Sequence, residues 1–95
     1  MGKNPVQSMR TADYDVLIDL LRDVREDAGV SQPQLSNNLS QAHHYIASIE
    51  RGTRRLDIVE FIAVAKALNM PPEQLFINFL QRLPKADRYR HRRNL

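Results

Sequence analysis

Two adjacent histidines, His43 and His44, share a polar stretch with Tyr45 and Ser48, and Arg51, Thr53, Arg54 and Arg55 follow shortly after. Imidazoles can bind metals, move protons, or exchange hydrogen bonds with base edges and phosphates. Neighbouring residues on a helix point about 100° apart. His43 and His44 are therefore poorly placed to share one metal ion, and the chain has no cysteine to complete a site. Nucleophilic or phosphate-handling catalysis finds no thiol, no glycine-rich loop and no HExxH pattern. Asp57 and Glu60 have the spacing of a helix cap and not the setting of an acid/base pair. The sequence therefore predicts no enzyme, no cofactor and no metal. Hydrogen bonding and charge remain: imidazoles to guanine or phosphate, guanidinium groups to phosphate.

Such side chains work only if rigid elements aim them. From Thr11, a capping residue followed by Asp13 and Asp15, apolar positions recur at helical steps: Tyr14, Leu17, Ile18, Leu21, Val24 and Ala28, ending at Gly29. Ser31–Gln34 is a capping-box pair with Pro33 in the first turn, predicting a short second helix that turns Leu35 and Leu39 inward. A third segment, about Ala42–Arg51, turns Ile46 and Ile49 inward and closes at Gly52. A fourth starts at the Asp57–Glu60 box and carries Ile58, Phe61, Ile62, Val64, Ala65 and Leu68 to a cap at Asn69. A fifth runs from Pro72 to Leu83 and stops at Pro84. No alternating strand pattern competes, so the expected fold is all-α with five helices.

Only Ser40 and Gln41 separate the second and third segments, too few residues for antiparallel helices. Such a turn makes them cross steeply, as in a helix-turn-helix unit. In that unit the third helix enters a major groove, and its outward residues, here His43, His44, Tyr45, Ala47 and Ser48, can meet base edges or phosphates.

The stretch Leu35-Ser36-Asn37-Asn38-Leu39-Ser40-Gln41-Ala42-His43-His44-Tyr45-Ile46-Ala47-Ser48-Ile49-Glu50-Arg51-Gly52, with Arg25 and Ala28–Gln32 before it and Ala65–Leu68 after it, resembles the phage repressor/Cro-type (XRE-type) helix-turn-helix transcriptional regulators. The likeness runs from about Tyr14 to Phe76. It implies a five-helix lambda-repressor-like domain that binds double-stranded DNA. By resemblance, His43, His44 and Ser48, with Tyr45 alongside, read bases. Gln32, Arg51, Thr53, Arg54 and Arg55 meet phosphates, and Arg25 and Glu50 form a structural ion pair. The chain departs from the family pattern at Ser40, where glycine is usual, at Ala42, where a hydroxyl cap is usual, and in its two histidines at reading positions.

The chain has 95 residues, 26% charged and 42% hydrophobic, with a net charge of +3 and a sequence pI near 9.7. That charge is uneven. Residues 1–80 hold eight basic and ten acidic side chains, net −2, whereas residues 81–95 hold six basic and one acidic, net +5. The expected organisation is a flexible N-terminus (1–10), a helix-turn-helix DNA-binding domain (11–84) and a basic C-terminal tail (85–95). Apolar runs such as Phe61–Ala65 are too short to span a bilayer, and Met1–Pro5 has no apolar segment of a secretory signal, so no membrane partner and a cytoplasmic location are expected.

The fifth helix has more large apolar groups than one core-facing stripe needs. Leu75, Phe76, Phe79 and Leu80 can close the core, and the surplus centred on Ile77 and Leu83, flanked by Phe79 and Leu80, predicts a homodimer interface. The resulting expectation is a dimeric repressor reading a palindromic operator. The rival is a protein-interaction module, antitoxin-like or binding a regulatory partner, that keeps the fold without DNA specificity.

Overall fold

The computed structural model describes residues 11–84. The expected N-terminal segment 1–10 and basic tail 85–95 lie outside these described residues. Among them are five helices and no strand: α1 (Ala12–Asp27), α2 (Gln32–Asn38), α3 (Tyr45–Arg51), α4 (Ile58–Ala67) and α5 (Pro72–Arg82).

Local chemistry sets most helix ends. Thr11 accepts a hydrogen bond from the Tyr14 amide at 3.1 Å, and Asp13 and Asp15 occupy the electropositive first turn of α1. Gly29 takes φ +72° beyond the end of α1, and nothing lies within 4 Å of where a Cβ would sit. The backbone angle, not crowding, is what favours glycine there. Both capping boxes form reciprocally: Ser31 with Gln34 opens α2, and Asp57 with Glu60 opens α4. Asn69 has φ +59° just past α4, satisfying the turn as expected.

Two stretches differ from expectation. The third helix starts at Tyr45 rather than Ala42, with His43 and His44 in the preceding turn and no side-chain cap from His44. Its capping acceptor comes from another helix. The hydroxyl of fully buried Ser36 on α2 accepts from the Ile46 amide at 3.0 Å, satisfying one of the helix's orphan N–H groups. Secondly, α4 is apolar around much of its circumference. Phe61, Val64, Ala65 and Leu68 are buried, whereas Ile58 and Ile62 of the same apolar series are 62% and 37% exposed.

The core draws on every helix. Ile18, Leu20 and Leu21 of α1 meet Leu35 of α2, Ile46 and Ile49 of α3, Phe61, Val64 and Ala65 of α4, and Leu75 of α5. Each such large side chain stabilises the fold by about 1.5–3 kcal/mol when fully withdrawn from water. α2 packs on α3 and α4, α1 on α3 and α5, and α4 on α5. The consequence is that α3 is held from beneath by three apolar side chains, Tyr45, Ile46 and Ile49, while its opposite side faces solvent.

Candidate nucleic-acid interface

The α2–α3 turn is built on one strained residue. Ser40 has φ +57°, the left-handed conformation that glycine adopts more cheaply. The turn is closed by the Ser40 amide on Asn37 O (2.9 Å) and the Gln41 amide on Ser36 O (2.9 Å). Serine thus takes the turn conformation for which the sequence pattern favours glycine.

With α3 starting at Tyr45, its solvent stripe is His44, Ala47, Ser48 and Arg51, spaced by three and four residues. His44 is exposed, and Ala47 and Ser48 are half-buried. Ala47 and Arg51 share an open cleft with Arg22, Gln32 and Glu50. His43, also exposed, is turned toward α2, beside Pro33, Gln34, Asn37 and Gln41.

Tyr45 is the departure. Expected beside the reading positions, it is only 6% exposed and packs into the core. The reason is register: Tyr45 precedes Ile49 by four residues, so both fall on the buried face. The Arg54 guanidinium covers its ring at 4.8 Å from the centroid. Burial pushes the phenol pKa up to about 12, reinforced by a hydrogen bond with Glu60.

A charged knot beneath α3 fixes its end. The Arg25 guanidinium donates to Glu50 through Nε (2.6 Å) and Nη2 (3.0 Å), and through Nη1 to the Val30 carbonyl (2.8 Å). The two side chains are 9% and 6% exposed. The hydrogen bond from Arg25 to Glu50 raises the guanidinium pKa despite burial. Arg22 donates to the Glu50 backbone carbonyl at 3.1 Å. The Gln32 amide donates to Glu50 Oε1 at 2.8 Å, so this expected phosphate contact is also a strut between the start of α2 and the end of α3.

The loop after α3 is laced back onto the helix. Gly52 closes α3 at φ +88°, and the Thr53 hydroxyl (3.2 Å), Thr53 amide (3.0 Å) and Arg54 amide (3.3 Å) all donate to Ser48 O. The Arg54 guanidinium returns to the start of α3, where Nη2 meets Glu60 at 2.9 Å while Nη1 donates to the Arg55 carbonyl at 2.9 Å. Arg55 covers the ring of Tyr14 at 5.2 Å, and the Tyr14 hydroxyl accepts from the Leu56 amide at 3.0 Å. Of the expected residues, His44, Ser48 and Arg51 lie along the solvent side of α3, Gln32 borders it, Arg54 reaches its first residue, and Arg55 lies against Tyr14 of α1. Among the described residues, no three His, Cys, Asp or Glu side chains gather as metal ligands would.

A family model described as a helix-turn-helix domain matches residues 17–75, which include this turn, α3 and its supports. The chain belongs to the XRE-type helix-turn-helix regulators. This is a family of DNA-binding transcription regulators. Solved structures agree. An XRE-family-like protein from Pseudomonas syringae pv. tomato is 28% identical with a TM-score of 0.73, over 86% of this chain and all of that one. The restriction-modification controller protein C.AhdI from Aeromonas hydrophila is 31% identical with a TM-score of 0.61, over 68% of this chain and 98% of that one. The clp gene regulator ClgR from C. glutamicum, at 21% identity and a TM-score of 0.67 over 79% and 97%, is similar in fold. No curated protein sequence matches the chain.

In this XRE-type chain the sequence reading missed three supporting residues. Ser36 replaces the missing cap, Arg22 joins the Glu50 knot, and Glu60 binds Arg54. Only Glu60 carried a sequence signal, and that signal was for a helix cap.

The expected dimer residues are also redistributed. Ile77 is 45% exposed, but Phe79 packs against the core, Leu80 is half-buried, and Leu83 lies just past the end of α5. Phe76, expected in the core, is 43% exposed and meets Phe61 edge-on at 6.3 Å. With Ile58, Val59 and Ile62 it extends the apolar surface across α4. No helix among the described residues is long and apolar enough to cross a membrane.

Proposed function

We propose that the chain is a cytoplasmic, sequence-specific binder of double-stranded DNA that acts as a homodimeric repressor, without catalysis or a cofactor. The carrying observation is the solvent-side stripe of His44, Ala47, Ser48 and Arg51 along a short helix whose other face is locked into the core. A major groove accepts a helix of this kind. His43, His44 and Ser48 read base edges, while Gln32, Arg51, Thr53, Arg54 and Arg55 hold the backbone on either side. The likeness to C.AhdI, a restriction-modification controller protein, supports this reading.

Dimerisation uses the apolar surface of α4 and α5, with Ile58, Val59, Ile62, Phe76 and Ile77 at its centre. A two-fold dimer presents two copies of α3 to half-sites about 34 Å apart, hence a palindromic operator. Selection from a random duplex pool tests the reading, followed by titration at several salt concentrations. The expected result is a two-fold-symmetric consensus bound far more tightly than bulk DNA, with affinity falling steeply as salt rises. Equal binding of consensus and bulk DNA contradicts it.

The second reading, a module that binds a protein partner, draws on the same exposed apolar surface and on the acidic α1 (Asp13, Asp15, Asp19, Asp23, Glu26, Asp27). Failure to select any duplex, with the chain monomeric by sedimentation at micromolar concentration, favours it.

A further inference from the structure

Arg54 lies in sequence beyond the C-terminal end of α3, yet its guanidinium sits beside the first residue of that helix. Three contacts hold it there. Its face rests on the Tyr45 ring, Nη2 meets Glu60 Oε2 at 2.9 Å, and Nη1 donates to the Arg55 carbonyl at 2.9 Å. Glu60 is itself fixed. Its Oε1 accepts from the Asp57 amide at 2.9 Å, and its own amide donates to Asp57 Oδ1 at 2.7 Å. Two of five guanidinium N–H groups are committed by these bonds. The Arg54 side chain is still 45% exposed, so it remains open to solvent beside Tyr45, the first residue of α3.

We propose that Glu60 is a positioning residue for DNA binding: its carboxylate and the Tyr45 ring hold Arg54 ready to contact the DNA backbone beside the start of α3. The inference rests on the reading of Arg54 as a DNA contact. A flexible arginine loses rotamer freedom when it binds a phosphate, and a guanidinium already ordered loses less. Glu60 is not a DNA contact itself, since a carboxylate facing phosphate is repulsive. Its effect passes through Arg54.

Glu60→Gln isolates this role. Glutamine at the same position supports a capping box as glutamate does, so α4 keeps its start while the charged attraction on Arg54 is lost. The experiment measures affinity of the full chain for its selected duplex and for an unrelated duplex in four proteins: wild type, Arg54→Ala, Glu60→Gln and the double variant. Thermal unfolding of each confirms that it is folded. The general gain from removing one negative charge cancels in the comparison.

The expected result is that Arg54→Ala weakens binding to both duplexes about tenfold in the wild type, the size of one charge-assisted contact. In the Glu60→Gln background the same change costs less than about twofold. Arg54→Ala is also expected to lower the salt slope by about one. Equal losses in both backgrounds overturn the role of Glu60 and leave Arg54 as a contact. A larger loss in Glu60→Gln overturns it too, because Glu60 then withholds Arg54 from DNA. No loss in either background refutes the reading of Arg54, and the inference falls with it.

Discussion

Replacing Arg25 with methionine keeps much of the side-chain length and removes the charge from the knot beneath α3. Glu50 then remains 6% exposed, with the Gln32 amide at 2.8 Å and Arg22 Nε at 3.6 Å as its remaining side-chain partners. The bidentate contact at 2.6 and 3.0 Å is lost, and the Val30 carbonyl loses its donor. Breaking one side of a buried pair costs about 3–5 kcal/mol, because the other charge stays buried without compensation. Arg22 lies close enough to reduce this, so about 3 kcal/mol is expected. At about 4–8 °C per kcal/mol for a domain of this size, the unfolding midpoint falls by more than about 10 °C. Thermal and urea unfolding followed by circular dichroism reads the change. The double variant Arg25→Met/Glu50→Leu removes both charges and is expected to recover at least half of the loss. A loss below about 1 kcal/mol for Arg25→Met, the range of exposed pairs, refutes the claim that this pair fastens α3 to α1.

Three further outcomes follow from local geometry. Ser36→Ala removes the acceptor for the Ile46 amide in a fully buried position, so urea unfolding should show a loss of about 1–3 kcal/mol. Ser40→Gly relieves a φ of +57° and should stabilise the fold by up to about 1 kcal/mol in the same assay, with the wild-type fold retained. Burial alone would raise the Glu60 carboxyl, but hydrogen bonds from Arg54, the Asp57 amide and Tyr45 outweigh it and hold the pKa below the usual 4.5. A depressed carboxyl contributes stability that is present above its unfolded value and is lost as pH falls through the folded one. The stability gap between wild type and Glu60→Gln should therefore narrow from about pH 6 to about pH 3, and a constant gap contradicts the assignment.

Local signals in the sequence located most helix ends. The Ser31–Gln34 and Asp57–Glu60 boxes act within one turn, so residue types three apart announce them. The turn at Ser40 was legible as a departure, and its strain appears in the backbone angle. The start of α3 was not legible, because its capping oxygen comes from Ser36, ten residues earlier on another helix. Tyr45 was misplaced for a related reason. Its spacing from Ile49 marks the buried face, whereas its place directly after the polar His43 and His44 groups it with outward residues. On α4 the apolar pattern could not say which side is core, since Ile58, Val59 and Ile62 form an exposed apolar strip alongside the buried Phe61, Val64 and Ala65. The folding-back of Arg54 onto Tyr45 and Glu60 depends on a loop path that no residue spacing encodes.

The central claim is that the His44–Arg51 stripe of α3 reads sequence in a major groove. Parallel selection from one random duplex pool with the wild-type chain and with His44→Ala tests it most directly. His44 is exposed and caps α3 with no side-chain bond, so the variant should fold normally. The predicted result is a symmetric wild-type consensus and, for His44→Ala, a consensus relaxed at one position in each half-site. Identical consensus sequences from the two proteins would contradict the claim.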